Sequence, residues 1–214
     1  MKVLAISAGM SQPSSTRMLV DRLAAATTQR ATAAGIELEP IDVIELHDLA
    51  PELISAEISR VNGTKVAHAM EQLEAADALI VVSPIYNAQM SALMALFFEV
   101  ADDAIVRGKP VLLGATGGTA RHSLAIDHSL LPLFHYLHAL VAPTSIFAAT
   151  DDWGTPGRLD ERTAHASASF VSLLAMRAGA PASEGLASDA ADKPSHASDD
   201  FELPGDFESM FNAI

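Results

Sequence analysis

The 214-residue chain has no cysteine. Disulfides, thiolate nucleophiles and cysteine-ligated zinc are therefore excluded. Aromatic residues make up only 5% of the chain while hydrophobic ones make up 50%, so a core must rely on Ala, Leu, Val and Ile. Basic residues are scarce: 13 Lys and Arg against 27 Asp and Glu leave a formal net charge of -14. That balance argues against nucleic-acid binding, which needs cations against phosphate, and against an anionic membrane surface. No apolar run reaches the roughly 18 residues of a spanning helix. The opening MKVLAISAGMS carries one lysine and an apolar run too short for a secretory leader. It reads as a first strand, and the chain as a soluble cytoplasmic protein.

What is present is alternation. Segments 2–7 (KVLAIS), 36–44, 78–82, 110–115 (PVLLGA) and 144–149 (TSIFAA) read as short buried strands. Between and after them, 16–34, 63–75, 92–106, 120–140 and 159–178 read as helices, with Gly35 placed as the cap of the first. Residues 45–62 form a mixed connection containing Pro51. Strands alternating with helices imply an α/β fold with a five-stranded parallel sheet covered on both faces, of order 2-1-3-4-5. In such a sheet ligands bind beyond the strand C-termini, where the strand order reverses. The site is thus expected from the loops after Ser7, Val82 and Ala115.

The first loop, SAGMSQPSSTR, sets Ser11, Ser14, Ser15 and Thr16 where a strand gives way to a helix. These hydroxyls and the free amides of the helix start either bind an anion or, for Ser14 or Ser15, merely cap the helix. The second, beginning at Ser83, carries Pro84, Ile85, Tyr86 and Asn87. Pro84 is expected to end the ladder, having no N–H to donate, and Tyr86 to be a rim aromatic or a ligand contact. The third, ATGGTARHS, offers Gly117 and Gly118, a plain turn or a backbone that approaches a planar ligand. Neither GxxxxGK[ST] nor GxGxxG occurs, so these loops match no P-loop or dinucleotide fingerprint.

Three motifs in this order, PSSTR at 13–17, PIYN at 84–87 and TGGT at 116–119, resemble the NADPH-dependent FMN reductase family over residues 1–178. The resemblance is strongest to the branch that supplies reduced FMN to two-component flavin monooxygenases. It implies a flavodoxin-like three-layer sandwich, FMN and NADPH (or NADH) as cofactors, and an NAD(P)H:FMN oxidoreductase. Alternatives within reach are a reductase with resident FMN acting on quinones or azo compounds, and a flavodoxin-type electron carrier without a nicotinamide site. The resemblance assigns Gly9, Ser11, Ser14, Ser15 and Thr16 to the phosphate loop, and Pro84, Ile85, Tyr86 and Asn87 to the flavin and ribityl chain. It assigns Thr116, Gly117 and Gly118 to the ring edge. By its guanidinium chemistry Arg121 is either the contact for an NADPH 2′-phosphate or simply an exposed helix-start arginine. No side chain is required as acid or base, so no catalytic residue is assigned. Where the family often has arginine in its first loop, this chain has Ser11; family Gly and Lys positions are Ala92 and Ala95, and an Arg is Leu131. Unless Arg17 supplies the missing cation, FMN is expected to be an exchangeable substrate.

His128, His135 and His138 lie at helical spacing, but HExxH is absent and no metal site is expected. GxSxG is absent too, which excludes the usual serine-hydrolase elbow. Leu93, Leu96, Phe97, Leu130, Leu133, Phe134 and Leu137 are candidates for a homodimer surface, and the resemblance implies a homodimer or tetramer. Residues 179–200 are small and acidic, a composition suited to a disordered linker. In 201–214, Phe207, Met210, Phe211 and Ile214 fall on one helical face. That segment either docks, on the protein's own oligomer or on a partner monooxygenase, or is an acidic tail that aids solubility.

Overall fold

The computed structural model describes residues 1–154 and 157–179. The expected linker, Gly179 apart, and the terminal segment lie outside the described residues. In chain order the elements are β1 (Val3–Ser7), α1 (Ser15–Ala33), β2 (Asp42–Glu45), α2 (Ala50–Ser59), α3 (Thr64–Ala75), β3 (Ala78–Tyr86), β4 (Gln89–Met90), α4 (Ala92–Val100), α5 (Asp103–Val106), β5 (Pro110–Gly117), α6 (Leu131–Tyr136), β6 (Leu140–Val141), β7 (Ile146–Ala149) and α7 (Arg158–Arg177).

The strands run β2-β1-β3-β5, with β6 and β7 both paired to the far side of β5, all parallel. This is the expected order, with β5 as the fourth strand and β6 and β7 together as the fifth. The fifth is split because residues 142–145 leave the ladder, and Pro143 among them has no N–H to return. Side chains alternate across the sheet. Leu4, Ile6, Leu79 and Val81 join one buried cluster with Leu53, Leu73 and Phe97. Val3, Ala5, Ile80 and Val82 join the other with Leu19, Leu23 and Phe170. Burying both faces produces the continuous apolar strands seen in the sequence. Few aromatics are needed: Phe97, Phe98 and Phe134 stack edge to face at 5.3 and 4.9 Å, and apart from Phe147, Phe170 and Met94 the rest of the buried core is aliphatic.

Several expected elements change length. The 36–44 strand shrinks to Asp42–Glu45, because Pro40 cannot donate to a ladder. The mixed connection holds α2, with Pro51 in its first turn, where a missing N–H is harmless. The 92–106 helix breaks at Ala101, and Asp102 caps α5 by accepting from the Ala104 amide at 2.9 Å. The long 120–140 helix is not formed. A 3-10 turn (Ala120–His122) and a π turn (Ile126–Leu130) precede α6 instead. Pro132 has no N–H for the His128 carbonyl, so the chain widens before it and restarts with the proline in the first turn of α6. The first helix ends as expected, with Gly35 at φ +70°.

Phe97, Leu130, Phe134 and Leu137 are buried in the core, so they cannot form the anticipated dimer surface. Leu93, Leu96 and Leu133 are half-buried. The exposed apolar side chains on this flank are Leu124, Tyr136 and Leu140.

Beyond β5, the outermost strand β7 turns the Phe147 carbonyl and the Ala149 amide away from the sheet. Arg162 donates to the Phe147 carbonyl at 2.9 Å, and Asp152 accepts from the Ala149 amide at 2.8 Å. The two side chains pair at 2.8 Å. Burial pushes the Asp152 carboxyl up, but the Arg162 guanidinium and the Ala149 amide hold it below its ordinary 3.8. Its stabilising contribution is complete above that value and is lost as pH falls toward the lower folded-state value. Asp152→Asn is therefore expected to lower the melting temperature at neutral pH. The gap from the parent should close as the pH of the melts is taken below 3.8.

Candidate functional site at the strand C-termini

Register sets the site. Ser7 lies beside Val82, and Val82 beside Gly114. β1 ends at that level while β3 and β5 run on to Tyr86 and Gly117, and the loops after all three leave from one edge. The first and third loops touch directly: the Thr16 and Thr116 hydroxyls lie 2.8 Å apart, both side chains buried. The second follows because Pro84 pairs with Thr116 across the ladder.

In the first loop, Ser14 is the N-cap of α1, its hydroxyl accepting from the Arg17 amide at 3.2 Å. The Ser15 and Thr16 amides have no intrahelical acceptor. No acidic residue stands in the first turn, so the positive end of a 19-residue helix is not neutralised locally. Gly9 is buried, and a Cβ there would lie 2.1 Å from the Ser14 hydroxyl. Its backbone is thereby pressed onto the cap. Ser11 is exposed, donating to the Pro13 carbonyl at 3.1 Å.

Arg17 does not supply the missing cation. Its guanidinium donates to Glu45 and to Asp21, each at 2.8 Å. These bonds, Glu45 foremost, raise its pKa further. A side chain paired to two carboxylates is not free to meet an incoming anion.

The second loop corrects an expectation. Pro84 does not end the ladder; β3 continues to Tyr86 and folds back as an antiparallel hairpin with β4. The Val82 carbonyl accepts from Ala8, so Val82 faces β1. Two residues on, the Pro84 nitrogen faces that same side, where β1 has ended, and no donor is missed. Ile85 is buried, whereas Tyr86 and Asn87 are exposed. Asn87 and Ala88 have φ of +51° and +61°, the signature of a tight primed turn. Serines anchor the hairpin from below. Ser83 accepts from the Ser91 amide and Ser129 from the Met90 amide, both at 2.9 Å. Ser83 flanks the turn in the sequence, whereas Ser129, 39 positions beyond Met90, carries no local signal.

In the third loop a Cβ on Gly117 would lie 2.8 Å from the Phe147 ring, whereas one on Gly118 would meet nothing within 4 Å. Gly117 thus rests against Phe147, and Gly118 presents backbone to open space. Arg121 follows in the 3-10 turn, exposed, and its guanidinium has no ion-pair partner among the described residues.

Two clefts of about 210 and 400 Å³ lie elsewhere. One is lined by Asp127, Leu131 and His135, the other by Ile146, Phe147 and Arg162. Neither combines a helix start with glycine backbone, so the strand ends remain the better candidate for a mononucleotide. Trp153 is not there either: it packs against Arg22, whose guanidinium carbon lies 5.3 Å from the ring centre. His128, His135 and His138 are exposed, and no group of three or more His, Asp or Glu suited to a metal occurs among the described residues.

The family model described as NADPH-dependent FMN reductase matches residues 1–154. The chain is 36% identical over 154 residues to a Pseudomonas aeruginosa protein named FMN reductase (NADPH), covering 71% of this chain and 78% of that one. It is 36% identical over 150 residues to the NADH-dependent FMN reductase SfnE of Pseudomonas putida, covering 70% and 77%. Among solved structures, an oxidoreductase from Corynebacterium diphtheriae superposes with a TM-score of 0.77 at 40% identity, covering 82% of this chain and 98% of that one. An archaeal flavodoxin shares the fold alone, at 12% identity, TM-score 0.53, and coverage of 80% and 96%.

Ala88 is the one non-glycine, non-asparagine residue in the primed turn. Left-handed backbone costs an L-residue about 1–2 kcal/mol, against about 0.5–1 kcal/mol of added chain entropy for glycine. Ala88→Gly is expected to raise stability in urea denaturation by roughly 0.5 kcal/mol.

Proposed function

The chain belongs to the NADPH-dependent FMN reductase family, and from that premise we propose how its own residues serve the reaction and whom it supplies. It is an NAD(P)H:FMN oxidoreductase. The residues present fit a flavin mononucleotide. Gly9 is pressed onto a capped helix start, the first turn has no acid to repel a phosphate, and Gly118 leaves room for a ring. The observation that carries the reading is the convergence of the three loops on one edge, joined by the Thr16–Thr116 bond.

In this reading Gly9, Ser11, Ser14, Ser15 and Thr16 hold the phosphate through amides and hydroxyls. Pro84, Ile85, Tyr86 and Asn87 border the ribityl chain and ring, with the hairpin fixing their height. Thr116, Gly117 and Gly118 form the ring edge, where backbone amides oppose negative charge that develops on reduction. When bound, the flavin supplies the hydride acceptor, so the protein need contribute no acid or base. Tyr86 is half-exposed on one side of the crevice, and Trp153 is engaged by Arg22, which leaves room for a nicotinamide to stack. Arg121, exposed and unpaired among the described residues, meets the NADPH 2′-phosphate as a bidentate donor.

With Arg17 held by Glu45 and Asp21, phosphate is gripped by dipoles without a free cation, which favours exchangeable FMN. An enzyme that releases its reduced flavin suits delivery to a flavin-dependent monooxygenase, in a cytoplasmic homodimer or tetramer. Among the described residues no helix is long and apolar enough to cross a membrane. Residues 201–214 are the proposed docking segment, and removing 179–214 should lower transfer of reduced flavin to the partner while leaving FMN-dependent NADPH oxidation in place.

Two measurements test the reading. The purified protein should be nearly colourless and oxidise NADPH or NADH only when FMN is added; a tightly held yellow flavin at full occupancy would count against exchange. Arg121→Ala should raise KM for NADPH about tenfold with little change for NADH, and equal effects on both would remove Arg121 from the 2′-phosphate.

A further inference from the structure

The resemblance assigns Thr116 to the flavin ring edge, and its side chain bonds to the first loop. The Thr116 hydroxyl is buried, 2.8 Å from that of Thr16 in the first turn of α1, and the two residues are 100 positions apart. Neither hydroxyl has another hydrogen bond among the described residues. Two hydroxyls bring two protons, and the bond between them uses one. A buried O–H without an acceptor is costly, and two valines would fill this space without that cost. The spare proton has no acceptor among the described residues, and an anion at the adjoining helix start would supply one. The neighbouring Ser15 and Thr16 amides, open at the helix start, have the same need.

We propose that Thr116 is a positioning residue for phosphate recognition. Its hydroxyl donates to Thr16, and this directs the Thr16 proton to the phosphate of the flavin mononucleotide. An anion at the helix start selects this polarity, since each bond in such a chain strengthens the next. The device lets a loop with no free arginine or lysine favour a phosphorylated flavin over an unphosphorylated one. It also couples the phosphate loop to the end of β5, so the two ends of the ligand are held by parts of the protein that are bonded to each other. The inference rests on the reading of the α1 start as the phosphate site.

Equilibrium titration of flavin fluorescence, with no nicotinamide present, tests it. FMN and riboflavin are compared in the parent protein, Thr116→Val and Thr116→Ser. Valine keeps the shape and loses the hydroxyl; serine keeps the hydroxyl. The expected result is a dissociation constant for FMN raised about tenfold in Thr116→Val, a riboflavin constant changed by less than about twofold, and recovery in Thr116→Ser. Equal weakening toward both flavins, no change toward either, or a serine variant that behaves like valine overturns the proposal. If the valine variant does not fold, Thr116→Ala is titrated in its place against the same criteria. A parent protein that binds riboflavin as tightly as FMN removes the phosphate reading itself. A parent that prefers FMN, with the preference intact in the valine variant, removes only the role of Thr116.

Discussion

The parallel register of β1, β3 and β5 is the constraint on which the rest depends. It is held by side chains buried on both faces of the sheet, so a one-residue slip would carry Ile6, Val81 and Leu113 out of one core and into the other. With register fixed, three loops distant in sequence leave from one edge of the sheet. The helix start, the hairpin and the glycine turn owe their proximity to that alignment rather than to strong attraction among themselves.

The proposed phosphate site carries little positive charge. Its excess of acids is expressed locally in the pairing of Arg17 with Glu45 and Asp21, which takes the nearest cation out of play. What remains is dipolar: amides with no intrahelical acceptor, a serine cap and a pair of hydroxyls. Such groups are fixed by the fold and cost little to reorganise, but each is weaker than a bidentate arginine. On the proposed reading, loose and reversible binding of the flavin follows from that substitution.

The sequence made the alternation of strands and helices, the cap at Gly35 and the three loops legible, because each depends on periodicity or local backbone chemistry. Pro84 departs from the expected ladder end because the cost of a proline depends on which side its nitrogen faces, and that follows from where β1 stops. The helix expected at 120–140 gave way to turns at Pro132 because apolar spacing continues through a backbone break. Arg17 looked like a spare cation because its partner Glu45 is 28 positions away on β2. The Thr16–Thr116 bond spans 100 positions, and only tertiary structure reveals it. The apolar side chains proposed for a subunit surface were too apolar to stay outside, and four of them fill the core.

The clasp formed by Asp152 and Arg162 bears on how the molecule keeps its own company. A sheet margin is ordinarily an invitation to another chain, since its outward amides and carbonyls seek partners. Along β7 two of those positions are already taken, by side chains from the turn and helix that follow it. A neighbour that tried to extend the sheet there would have to displace an ion pair before forming its first rung. Fibril-like growth is discouraged on that flank, and recognition between molecules is left to side-chain surfaces, where shape and charge discriminate better than backbone does.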